Sequence, residues 1–179
     1  MPEVFAGLVD VHYGFIDLYS DPDGSGDESD DLVGARRGQA NGLVGAQVPH
    51  QLGLVTGLHT GAVPLIVTWS EDEPPLDEEW EDVVEVSVEL STPDLTIATF
   101  DNAYGCQVPR AGWHRARYSV IAMDEGQDLD TLEDGETAPD RYLLELWPAP
   151  PAPDAVVREG SESAASWHEV ARGESSAED

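Results

Sequence analysis

The chain has 179 residues, 40% of them hydrophobic, with 37 Asp and Glu against 8 Arg and no Lys, for a formal net charge of −29. That length suits one domain with tails and suffices to bury a core without disulfides or metal. The charge repels phosphate and so argues against direct binding to nucleic acid or to an anionic lipid surface, while it attracts a cationic protein or divalent cations.

Cys106 is the only cysteine, so no intrachain disulfide forms. No apolar run is long enough to cross a bilayer, and the opening MPEVFAGLVDVHYG lacks the charged and continuous apolar regions of a signal peptide. The expectation is a cytoplasmic protein.

The first segment, VFAGLVDVHYGFIDLYS, reads as strand, with Val9, Val11, Tyr13 and Phe15 alternating with Asp10, His12 and Gly14. Gly14 marks a bulge or a close backbone approach. An acidic loop follows, then LVGAQV, QLGLVTGLHTG and AVPLIVTWS as short strand candidates, with Pro64 favouring an edge or a strand start in the third. In DVVEVSVEL, Val84, Val86, Val88 and Leu90 face one way and Glu85, Ser87 and Glu89 the other, the pattern of a sheet with one buried and one wet face. The turn STPD and the return DLTIATF predict an antiparallel hairpin over Asp82–Phe100. WHRARYSVIAM and RYLLELW supply further strands. Arg115 and Arg117 share one strand face, where cross-strand acids are their expected partners. PAPPAP is a stiff, extended spacer. SESAASWHEVARG predicts one short helix with Ser161 as N-cap, Gly173 just past its end, and Ala164, Trp167 and Val170 on one side. Alone it is too short to persist, so it docks through Trp167 or frays.

Many short strands with turns between them predict an all-β fold, an antiparallel β-sandwich with one short C-terminal helix. The expected organisation is a β-sandwich domain over 1–148, a Pro-rich spacer over 149–158, and the helix with an acidic disordered tail over 159–179.

Three acidic blocks stand out. DPDGSGDESDDL, Asp21–Leu32, resembles a calcium loop, with Asp21, Asp23, Ser25 and Ser29 at ligand positions and Gly26 at the turn. Leu32 stands where the bidentate Glu belongs, and the flanks are not helical. Turn chemistry favours a flexible loop between strands, with weak calcium binding at Asp21–Asp31 as an alternative. The second block holds ten acids from Glu71 to Glu89 and no base, with Trp80 inside DEEWED. Trp80 is either a buried residue entering a strand or an aromatic anchor on an acidic interface. The third block, Asp124–Asp140, is read as a loop. The five histidines, His12, His50, His59, His114 and His168, show no ligand spacing. Cys106 has no local nucleophile partner, and there is no phosphate-cradling glycine loop. No catalytic residue, metal or cofactor is assigned.

Three segments, VDVHYGFIDLYS, VPRAGWHRARYSVIA and DRYLLELWPA, resemble the small bacterial inhibitors associated with the competence DNA-entry nuclease. The resemblance implies a β-sandwich and an inhibitor or immunity-type role; it carries over no inhibitory residue. The combined reading is a non-catalytic acidic binding module for a basic protein such as a nuclease or toxin. Its candidate contact residues are Asp77, Glu78, Glu79, Trp80, Glu81, Asp82, Asp128 and Asp130. The alternative is a small-ligand-binding or enzymatic sandwich with an internal pocket lined by Tyr13, Trp69 and Trp113.

Overall fold

The computed structural model describes residues 2–20 and 34–173. The calcium-like loop and the closing acidic tail lie outside them. Among the described residues, β1 (Glu3–His12), β5 (Thr60–Trp69), β10 (Arg141–Pro148), β9 (Gly112–Ile121), β6 (Asp82–Leu90) and β11 (Ala155–Arg158) form a six-stranded sheet in that order. A second sheet orders β3 (Val44–Gly45), β4 (Gln51–Val55), β2 (Phe15–Tyr19), β7 (Asp94–Ala98) and β8 (Ala103–Gln107). Among the described residues there are also two α-helices, α1 (Met123–Leu129) and α2 (Glu162–Arg172), and a short 3-10 helix, Gly34–Arg36. No helix among the described residues is long and apolar enough to cross a membrane.

The two sheets share one core. Val9 and Val11 of β1, Val84, Val86 and Val88 of β6 and Leu144 and Leu146 of β10 pack with Ile16, Leu18, Leu54 and Ile97 of the smaller sheet. The period-two alternation of β6 and β10 puts these side chains inward, and burying them drives the assembly.

Several expectations need correction. Most pairs are antiparallel, but β5 and β10 run parallel, Tyr142 opposite Leu65. They meet as neighbours through a long crossover, the only way to join parallel strands. The predicted hairpin over Asp82–Phe100 does not form: β6 pairs with β9 and β11, whereas β7 pairs with β2 and β8. STPD therefore carries the chain from one sheet to the other. The first predicted strand also divides, because Tyr13 and Gly14 adopt φ of 64° and 71° and turn the chain from β1 into β2. Pro64 lies inside β5, opposite Leu8, with neighbours on both sides. The ladder to β10 begins one residue later, at Leu65, so the missing N–H leaves no gap there. Part of the third acidic block is helix α1, and Ala155–Arg158, just past the proline run, adds β11 to the sheet.

Helix α2 docks. The Ser161 hydroxyl accepts the Ala164 N–H, and Gly173 ends the helix at φ 76°. Trp167 meets Phe15 edge-on at 6.0 Å and lies under the Arg36 guanidinium at 5.3 Å. His168 is buried and accepts the Gly42 N–H at 2.9 Å. Burial holds its imidazole below the ordinary histidine range. A Cβ at position 42 would stand 1.9 Å from the Trp167 carbonyl oxygen, so only glycine admits this approach.

The outer face of the six-stranded sheet is uneven. Across β6, β9 and β10, Glu85, Arg117 and Glu145 lie in one row. Arg117, 3% exposed, reaches Glu73 at 2.9 Å, Glu85 at 3.3 Å and Glu145 at 3.7 Å, and stacks on Trp147 at 5.1 Å. Arg115 pairs with Glu85 at 3.2 Å, as strand-face partners should. Two proline-rich straps cover this half. Arg117 donates to the Pro74 carbonyl, and Arg115 to those of Ala152 and Pro153.

Candidate functional site

Register places several connections at one end of the six-stranded sheet. His12 is opposite Thr60, Arg141 opposite Ile121, and Asp82 opposite Val120. Because β5 and β10 run parallel, their first residues lie at this same end. The approach to β6, the β1–β2 crossing, and the whole β9–β10 connection with α1 therefore gather there.

Helix α1 bridges two corners of that end. At its start the Ala122 N–H donates to Glu81 Oε2 at 3.2 Å. Past its C-terminus the Asp130 carbonyl accepts the His59 and Thr60 N–H groups at 2.9 and 3.0 Å. Seven residues span ~10 Å, comparable to two strand spacings. Gly126 lets the helix lie against Asp140, whose Cγ would be 2.5 Å from an added Cβ. Asp140 in turn accepts the Leu58 N–H at 3.0 Å and the Tyr142 hydroxyl, and Tyr142 accepts the Gly57 N–H at 2.7 Å. Tyr142 stacks on Tyr118 at 5.7 Å. Burial, and then neighbouring negative charge, push both phenols well above their usual range, so they stay neutral. Asp124 anchors α1 to α2 through Ser163, at 2.6 Å to its hydroxyl and 2.8 Å to its N–H. Burial works to raise the Asp124 carboxyl, but these bonds outweigh it and leave it below the ordinary carboxylate range.

The eight predicted residues divide. Asp77, Glu78, Glu79 and Glu81 are exposed at one corner; Asp128 and Asp130 are exposed at the other. Glu79 meets Arg141 at 3.5 Å, a half-exposed pair worth little. Trp80 and Asp82 are buried, which takes them out of the exposed surface. Trp80 lies beneath the Arg141 guanidinium at 5.5 Å, and its carbonyl accepts from Arg158 at 2.7 Å. Asp82 Oδ1 accepts the Gly160 and Ser161 N–H groups at 2.8 and 3.1 Å, fixing the turn into α2. Both therefore position the corner from within.

Sequence reasoning missed an aromatic cluster beside the second corner. Tyr13 and Phe100, 56% and 70% exposed, approach to 5.9 Å, and both rings contact His12. His59 adds a ring 5.2 Å from Tyr13 and meets Thr60 Oγ1 at 2.7 Å. These residues are far apart in the chain; the consecutive positive φ angles at Tyr13 and Gly14 bring them together. The HYG triplet was the one local signal. Tyr13 and Trp69 do not share a pocket: they stand at opposite ends of the sheet, separated by the length of β5, roughly 30 Å. Trp69 is buried at the far end, donating to His114 at 3.1 Å, and Trp113 is exposed.

No family model matches the chain, and no curated protein matches it. Two solved structures are similar in fold. One is ComJ, inhibitor of the DNA degrading activity of NucA, from Bacillus subtilis: 12% identity, TM-score 0.52, covering 83% of this chain and 98% of that one. The other is described as crocagin biosynthetic gene J: 16% identity, TM-score 0.52, covering 84% and 100%. At these identities the likeness is one of fold, and it agrees with the fold-level resemblance to the competence-nuclease inhibitors.

Proposed function

We propose that this chain is a non-catalytic, inhibitor-type binding protein, built as a β-sandwich, whose acidic end docks on the basic surface of a protein partner such as a nuclease. The observation that carries it is the α1 bridge. It links the exposed carboxylates of Asp77, Glu78, Glu79 and Glu81 to those of Asp128 and Asp130, and contributes Glu125, with no basic residue in the helix. The fold shared with a nuclease inhibitor supports the inhibitor class. A nuclease groove must be basic to hold phosphate, so a rigid polyanionic surface can occupy it in place of the nucleic acid. On this reading the protein acts in the cytoplasm and touches neither nucleic acid nor membrane directly.

The test is a DNA-degradation assay with purified basic nucleases, NucA among them, titrated with the full chain at low and high salt. Inhibition that weakens as salt rises, and weakens further when Glu78, Glu79, Glu125 and Asp128 are neutralised to their amides, is expected. Inhibition of none of the nucleases, or inhibition indifferent to salt, would overturn the proposal.

A further inference from the structure

The outer face of the six-stranded sheet is covered over β9 and β6, where the straps meet Arg115 and Arg117, but open over β1, β5 and Leu143 of β10. Residues directly opposite in register share a face. Ala6 is opposite Ile66, Leu8 opposite Pro64, and Ile66 opposite Leu143, so these side chains form one contiguous apolar patch. Leu8 is 63% exposed and Ile66 37%. The same face continues through Asp10 and His12 to the exposed Tyr13 and Phe100 at the sheet's acidic end. An apolar centre with a polar, aromatic-bearing margin is the anatomy of a protein interface.

We infer that this half-face is the anchoring surface for a protein partner that presents an apolar side chain flanked by arginine or lysine. The inference deepens the proposed function and rests on it for the sign of the partner's charge. A second copy of the chain is a poor occupant, because it would bring another net charge of −29 against the same carboxylates. The chain's own segments 21–33 and 174–179 contain no basic residue and are equally mismatched. The two straps are already engaged by Arg115 and Arg117. Charge complementarity therefore selects a basic partner: Asp10 lies on the face itself, Asp101 follows Phe100 and Asp130 abuts His59, while Arg141, which shares the face through β10, is paired with Glu79 at 3.5 Å.

The test is selection of displayed random peptides on the immobilised full chain, with a Leu8→Thr/Ile66→Thr variant as the counter-target. Threonine keeps strand propensity at two exposed positions, and thermal melts check that the variant is folded. Recovered peptides are expected to carry arginine or lysine beside an apolar residue and to bind the variant about tenfold more weakly or worse, the size of one anchor residue. Basic peptides that bind the variant equally well would overturn the anchoring face while leaving the acidic-end reading intact. Face-dependent peptides lacking basic residues would overturn the basic partner and that reading together. Recovery of no peptide would overturn the anchoring face. So would a dimer, seen by sedimentation, that the variant abolishes.

Discussion

The two halves of one sheet face solve the same problem in opposite ways. Over β9 and β6 the strands point charged side chains outward, and the chain covers them: Arg117 sits among three glutamates, with Pro74 over it and Pro153 over its neighbour Arg115. Over the middle of β1 and β5 the outward residues Ala6, Leu8, Pro64 and Ile66 are apolar, and Leu8 and Ile66 are exposed. Usually the polar face of a sheet is left to solvent and the apolar face is covered. Here the buried half owes its polarity to a closed ion-pair network, which desolvation makes costly to disturb. The bare half leaves Leu8 and Ile66 exposed.

That contrast predicts a graded series of effects. Arg117→Leu should be the most damaging, costing roughly 3–5 kcal/mol in chemical denaturation, because Glu145 would remain buried without its cation and Glu85 would keep only Arg115. Arg115→Ala should cost about 1.5–3 kcal/mol and loosen the second strap, seen as faster amide exchange near Ser87 and Ala152, since charged hydrogen bonds to two strap carbonyls are lost. A pH series sharpens the same half. Burial holds the Glu145 carboxyl above its ordinary 4.5 despite Arg117 alongside. The folded state keeps that proton longer than the unfolded chain, so this group's contribution to stability falls as pH rises from 4.5 through the folded value. Glu145→Gln should remove that slope relative to the parent protein. Glu73→Gln, on the exposed rim of the network, should cost less than ~1 kcal/mol. Smallest of all, Leu8→Thr and Ile66→Thr on the bare half should leave stability within about 0.5 kcal/mol. A large loss there would mean that the face is covered and part of the fold.

Local patterns in the sequence were legible where one strand face is buried throughout. The alternation in DVVEVSVEL predicts β6, RYLLELW reads as the strand that is β10, and capping chemistry predicts α2 from Ser161 to Gly173. Pairing was not legible, because alternation says which face is buried and nothing about the neighbouring strand. Hence β6 and β7 read as a hairpin although they belong to different sheets. Helix α1 was hidden because MDEGQDL is short, acidic and interrupted by Gly126, and its order comes from Asp140, Glu81 and Ser163. The acidic residues of the candidate site could be named from composition, but only burial separates Trp80 and Asp82 from their exposed neighbours. The cluster of His12, Tyr13, His59 and Phe100 depends on a chain crossing that no periodicity encodes.

The most direct test of the acidic docking end is calorimetric titration of the full chain with a purified basic nuclease across a range of salt concentrations. The account predicts a Kd that weakens steadily with salt and a shallower salt dependence for the chain neutralised at Glu78, Glu79, Glu125 and Asp128. An affinity unmoved by salt, or the same slope with and without those four charges, would contradict it.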